Sequence, residues 1–146
     1  MSRRDRIETE RKEFNDWKSS ISCYGDPHWG EDVWNVIMDG PEDSPYMGGK
    51  FKLRITFPSN YPDSCPNFEF LTPICHININ GTHICLDSLN NYKSSYSIVQ
   101  ILTQIFMMLN APNEDSAYSD YKDLYKFFSA REMTREYSIF KLSLFA

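Results

Sequence analysis

The chain has 146 residues, of which 41% are hydrophobic, 15% aromatic and 24% charged, and its formal net charge is −5. That length predicts one domain, spanning 1–146, able to bury roughly 68% of its extended surface without help from a disulfide or a metal. Between Arg54 and Lys122 the only cation is Lys93, so the middle of the chain lacks the clustered Lys and Arg that a nucleic-acid surface requires.

The first segment is charged and free of Gly and Pro, with Ile7, Phe14 and Trp17 at helical intervals. This predicts a helix over 3–17 with a narrow apolar stripe. Arg3, Arg4, Arg6, Arg11, Lys12 and Lys18 alternate there with Asp5, Glu8, Glu10, Glu13 and Asp16. Such a pattern reads either as a solvated face laced with i,i+4 charge pairs or as a basic surface that steers an acidic partner. Gly25 and Pro27 mark a break, Val33 to Met38 reads as a short strand, and 40–49 is rich in turn residues. Phe51, Leu53, Ile55 and Phe57 alternate with Lys52, Arg54 and Thr56, the pattern of a half-buried antiparallel strand. Phe68 to Phe70 reads as another strand.

Residues 71–96 show no sustained period, and a compact domain keeps an irregular stretch of that length mainly for function. Ser97 and Gln100 form a capping-box pair ahead of a wide apolar stripe: Ile98, Ile101, Leu102, Ile105, Met108 and Leu109. Pro112 ends that helix, and a last helical region is expected over 118–140. The order of elements implies an α+β fold.

Cysteines stand at 23, 65, 75 and 85, and charge begins at Arg3, which leaves no apolar signal core. Free thiols in a reducing compartment, cytoplasm or nucleus, are expected. The apolar tail from Ile139 to Ala146 is eight residues long and interrupted by Lys141, far short of the roughly 20 needed to span a bilayer.

Cys85 lies inside the irregular stretch, close in sequence to His76, Asn78, His83 and Asp87, whereas Cys23 and Cys65 lie beside Gly and Pro with no base nearby. A nucleophilic thiol needs a thiolate fraction and access to substrate. On the residues alone Cys85 is either that nucleophile or a small buried apolar residue. Cys75, His76, His83 and Cys85 would suffice in number for tetrahedral zinc, but the adjacent Cys75 and His76 would have to turn onto one ion.

Six segments in register resemble the ubiquitin-conjugating (E2) enzyme core. They are Gly40 to Gly49, Phe57-Pro-Ser-Asn-Tyr-Pro62, His76-Ile-Asn78, Gly81-Thr-His-Ile-Cys-Leu-Asp87, Ala111-Pro-Asn-Glu-Asp-Ser116 and Ala130-Arg-Glu-Met-Thr134. The resemblance implies an N-terminal helix, a four-stranded antiparallel meander, a long active-site stretch and C-terminal helices. It implies that Cys85 takes ubiquitin or a related modifier from an E1 enzyme as a thioester and passes it to a substrate lysine, usually with an E3 ligase. Asn78 then falls at the position of an oxyanion donor or loop-holding group, Asp87 and Ser116 beside the incoming amine, and His76 at a structural position. The first helix, with Arg3, Arg4, Arg6 and Arg11, falls where E1 docks. No cofactor, metal, nucleic acid or membrane span is implied. A non-catalytic, E2-like ubiquitin-binding or adaptor protein is the alternative, against which Cys85 in its Ile-Cys-Leu-Asp setting argues.

The chain departs from the family in several places. Ile77 replaces a proline, Tyr92 a tryptophan, and Lys93, Ser94 and Ser95 a Ser-Pro-Ala run. Asp63 stands where an apolar residue usually contacts the E3. Together Asp63, Ser94 and Ser95 imply an E3 surface with less apolar area, hence an atypical ligase. Between Asn113 and Ala130 the chain is shorter than typical members, so the penultimate helix is expected to be shortened or fused to the last.

Overall fold

The computed structural model describes residues 1–112 together with Arg131 and Thr134. Apart from Arg131 and Thr134, the expected region 118–140 lies outside the described residues, as do the penultimate helix and Ser116. Helix α1 runs from Arg3 to Trp17, its first turn closed by Ser2, whose hydroxyl accepts from the Asp5 amide at 3.1 Å. A 3₁₀ turn over Lys18–Ile21 follows. Ile7 and Phe14 are buried as their spacing predicts, but Trp17 is 56% exposed. The reason is its place: it is the last α-helical residue, where the chain tightens into the 3₁₀ turn.

The strands are β1 (Cys23–Tyr24), β2 (Val33–Asp39), β3 (Lys50–Thr56), β4 (Asn67–Phe70), β5 (Ile79–Asn80) and β6 (His83–Ile84). They form one antiparallel sheet in the order β1-β2-β3-β4-β6-β5. The four-stranded meander is thus β1 to β4, and the two short strands extend it from β4. Period-2 alternation turns Trp34, Val36 and Met38 of β2 and Phe51, Leu53 and Ile55 of β3 into the core. Phe14 of α1 meets Trp34 at 5.9 Å between ring centroids, and Trp34 meets Phe57 edge-on at 5.0 Å. Each large side chain buried this way contributes about 1.5–3 kcal/mol, so this layer supplies much of the fold's stability.

Two one-piece helices follow: α2 (Asp87–Asn90) and α3 (Ile98–Asn110). The capping box forms: Ser97 Oγ accepts from the Gln100 amide at 3.0 Å, and Gln100 Oε1 accepts from the Ser97 amide at 2.9 Å. Every member of the predicted α3 stripe is buried. One buried charge links the two long helices. Glu10, 3% exposed, accepts from Arg6 Nε at 2.9 Å and from the Ile98 amide at 3.0 Å, which satisfies an otherwise orphaned donor in the first turn of α3.

Candidate active site

The segment beneath Cys85 is fixed by a buried imidazole. The Nδ1 of His76 accepts from the Asn78 amide at 2.9 Å, so it carries no proton. Its Nε2–H donates to the Met108 carbonyl on α3 at 2.8 Å. The ring is fully buried, and burial outweighs the Met108 bond to bring its pKa down to about 4. His76 is therefore neutral near pH 7 with both nitrogens engaged, and it is neither a base nor a metal ligand in this arrangement. Tyr46, with its ring 5.7 Å from His76, donates its hydroxyl to the Cys75 carbonyl at 2.6 Å. Tyr46 is itself seated by Gly40, where a Cβ would lie 1.8 Å from the Tyr46 carbonyl oxygen; no other residue allows that approach.

A tight hairpin joins Asn78 to Cys85. Ile79 pairs with Ile84 and Asn80 with His83, around the loop Gly81-Thr82. Gly81 has φ 63, at the first central position, where a two-residue turn of the II′ kind calls for glycine. The ladder continues one step outward: the Cys85 amide donates to the Asn78 carbonyl at 2.8 Å. Two residues seven positions apart thus become direct neighbours, and the backbone of Cys85 is tied to the pinned segment below it. The Asn78 side chain is completely buried.

Cys85 is half-buried at the edge of a groove of about 290 Å³. Cys85, Leu86 and Asp87 form one wall, and Gln104, Met107, Met108 and Ala111 the other. Met107 is 62% exposed, so the far wall offers apolar surface to an incoming chain. Asp87 is exposed, and its Oδ1 accepts from Asn91 Nδ2 at 2.7 Å. Asn90 Nδ2 lies 3.8 Å from Cys85 Sγ, as donor to the sulfur. His83 is exposed on β6 beside the hairpin turn. The other thiols differ in setting: burial pushes Cys23 up to about 12, with Asp39 adding to the effect, and burial also raises Cys65 and Cys75. Those three hold less thiolate at neutral pH than an open thiol would.

The predicted docking residues are distributed unevenly. Arg3 donates to the carbonyls of Pro58 at 2.8 Å and Phe57 at 3.0 Å and pairs with Asp32 at 2.9 Å. Arg6 pairs with Glu10 and donates to the carbonyls of Ser94 at 2.8 Å and Tyr96 at 3.1 Å. Arg11 pairs with Glu8 at 2.9 Å. Arg4 is exposed and stacks 4.5 Å from the ring centroid of Trp29, itself 61% exposed. Asp63, Ser94 and Ser95 are exposed on two adjacent loops, joined where Tyr92 Oη donates to the Pro62 carbonyl at 2.8 Å.

Reading the sequence alone missed Asn90, Met107, Tyr46 and Glu10. The first had a signal: a single helical turn after Cys85 brings a residue five positions on back over it. The others depend on contacts between distant segments.

The ubiquitin-conjugating enzyme family model matches residues 6–137. Ubiquitin-conjugating enzyme E2 N of Drosophila melanogaster is 39% identical over 115 residues, covering 73% of this chain and 76% of that protein. Ubiquitin-conjugating enzyme E2 2 of Mycosarcoma maydis is 38% identical over 109 residues, covering 72% of this chain and 56% of that protein. The protein of the same name in Candida glabrata is 41% identical over 87 residues, 58% of this chain and 52% of that one. The chain thus spans from about half to three quarters of the length of these relatives. A sheet-and-helix core that holds a half-open cysteine beside a pinned His-x-Asn segment, together with a match over nearly its whole length, shows that the chain belongs to the ubiquitin-conjugating enzyme (E2) family.

Proposed function

We propose that Cys85 carries ubiquitin or a ubiquitin-type protein as a thioester. In loading, the Cys85 thiolate attacks the carbonyl of the modifier's C-terminal thioester on E1; the new C–S bond forms and the E1 thiolate leaves. In transfer, a neutral lysine amine attacks that carbonyl, the C–S bond breaks, the electron pair returns to Cys85 Sγ, and the amine's proton passes to solvent. The product is an isopeptide bond.

The observation that carries this reading is the setting of the thiol. Cys85 opens onto a groove while His76, the nearest candidate base in the pinned segment, has both nitrogens occupied. A hydrolase needs a base paired with its nucleophile to activate water; a carrier benefits from lacking one, because the acyl group must persist until the right amine arrives. Asn78, enclosed and bonded through its carbonyl to the Cys85 amide, serves as the group that holds the transfer geometry. Asp87, at the groove wall, favours an incoming amine. E1 docks on α1, where Arg4 presents the open charge, and an E3 of low apolar demand docks over Asp63, Ser94 and Ser95.

Incubation with E1, ATP and a panel of modifiers, each with its own E1, tests this. A protein adduct that dithiothreitol removes is expected for one of them. No thiol-labile adduct with any member of the panel would sink the carrier reading and favour a non-catalytic binding role.

A further inference from the structure

We infer that the carboxamide of Asn90 is a catalytic donor to the Cys85 sulfur, stabilising the negative charge that sulfur bears before loading and as it leaves in transfer. This rests on the proposed carrier role of Cys85. Among the described residues, the hydrogen bond to Cys85 Sγ comes from Asn90 Nδ2, at 3.8 Å. Sulfur is large and diffuse, so N–H···S contacts are long, and the bond strengthens when the sulfur is anionic.

The donor is held in place by its own backbone. The Asn90 and Leu89 amides both donate to the Leu86 carbonyl at 3.0 Å. Leu86 and Leu89 pack on the core and Ser88 is buried, so α2 is anchored from beneath. The neighbouring Asn91 turns its carboxamide to Asp87 instead. Adjacent asparagines thus serve adjacent tasks, one on the sulfur and one on the carboxylate.

The surroundings make a neutral donor the effective one. Among the described residues, the charged or titratable groups near Cys85 are Asp87 on α2, His83 on β6 and the buried neutral His76 below; α3 contributes the uncharged Gln104, Met107 and Met108. An amide stabilises thiolate without adding a positive charge that would repel an approaching lysine. In transfer the C–S bond breaks, its electron pair moves to Sγ, and Asn90 Nδ2–H is aimed at that atom. Asn90 keeps its own protons throughout; the amine's proton goes to solvent.

The test needs no modifier. The rate of Cys85 alkylation by iodoacetamide is measured against pH, read at the Cys85 peptide by mass spectrometry, in the native protein, Asn90→Leu and Asn90→Asp. Asn90→Leu should lower the rate at pH 7 about 3- to 10-fold while the high-pH plateau stays. Asn90→Asp, which also adds negative charge, should lower it further. An Asn90→Leu profile that superimposes on the native one overturns the inference. Charging with E1 separates the two ideas. A shifted profile in a protein that never charges leaves the donor standing and removes the carrier role. Normal charging with an unshifted profile does the reverse.

Discussion

The floor and the rim of the site are built on opposite terms. The floor, residues 74–79, holds Ile74, His76, Ile77, Asn78 and Ile79, all buried, and its backbone and the His76 ring are tied to Tyr46, to α3 and to the Cys85 hairpin. The rim, residues 85–91, exposes Asp87, Asn90 and Asn91, whose side chains bond one another and the sulfur. Burial makes the floor rigid because any polar atom that moves loses a partner water cannot replace. Exposure leaves the rim reachable by a modifier and an amine together. Damage to the floor should therefore appear as lost stability and lost transfer, and damage to the rim as altered rates on an intact fold.

The largest effect should come from His76→Phe, which keeps the ring but strands the Met108 carbonyl and the Asn78 amide. Two stranded buried groups cost about 2–6 kcal/mol, seen as a melting temperature lower by roughly 5–20 °C. Native His76 also sets a pH dependence. Its pKa is depressed from 6.5 to about 4, so the unfolded chain binds the proton first. Its contribution is complete above pH 6.5 and is lost as pH falls toward 4, amounting to about 3 kcal/mol across that window. Urea unfolding at pH 7, 5.5 and 4.5 should show that decline in the native protein, and a shallower one in His76→Phe. Equal declines would assign the acid sensitivity elsewhere.

Asn78→Ala comes next. Discharge of loaded Cys85 to free lysine should slow on the order of 10²-fold, with loading from E1 much less affected. Equal slowing of both steps would mean that the change disturbs the Cys85 hairpin as a whole.

On the rim the expected effects shrink. Asp87→Asn should leave the melting temperature unchanged and slow discharge to lysine by about 5-fold, the scale of an exposed ion pair. A loss comparable with Asn78→Ala would place Asp87 in the chemistry itself rather than beside it. The smallest effect concerns encounter. Arg4→Glu should reduce loading by E1 a few-fold at low salt and hardly at all at 1 M, where the Debye length is about 3 Å. Reversal of Arg3 or Arg6 instead is expected to destabilise the fold, because both guanidinium groups hold loop carbonyls. A salt-independent loss in Arg4→Glu would point to its stacking on Trp29 rather than its charge.

What was legible in the sequence follows the same division. Elements that bury one face announce themselves by period: α1, the alternation from Phe51 to Phe57, and the α3 stripe behind its capping box. β5, β6 and α2 are two to four residues long, too short for any period to register; Asn78 directly precedes β5, Cys85 directly follows β6 and Asn90 ends α2. Cys85 itself is singled out by its flanking residues rather than by any pattern of burial. Charge misleads in the first helix, where Arg3 and Arg6 look like free cations and Glu10 like a solvated acid. Their partners lie 55, 88 and 88 residues away in sequence, and only the folded chain brings them together.

The central claim is that Cys85, and no other thiol, carries the acyl group. Charging reactions of native protein and Cys85→Ser with E1, ATP and the modifier, each split between reducing and non-reducing gels, test it most directly. The account predicts a reductant-labile adduct on the native protein and a reductant-resistant oxyester on Cys85→Ser. A labile adduct of undiminished yield on Cys85→Ser would put the carrier at Cys23, Cys65 or Cys75 and contradict it.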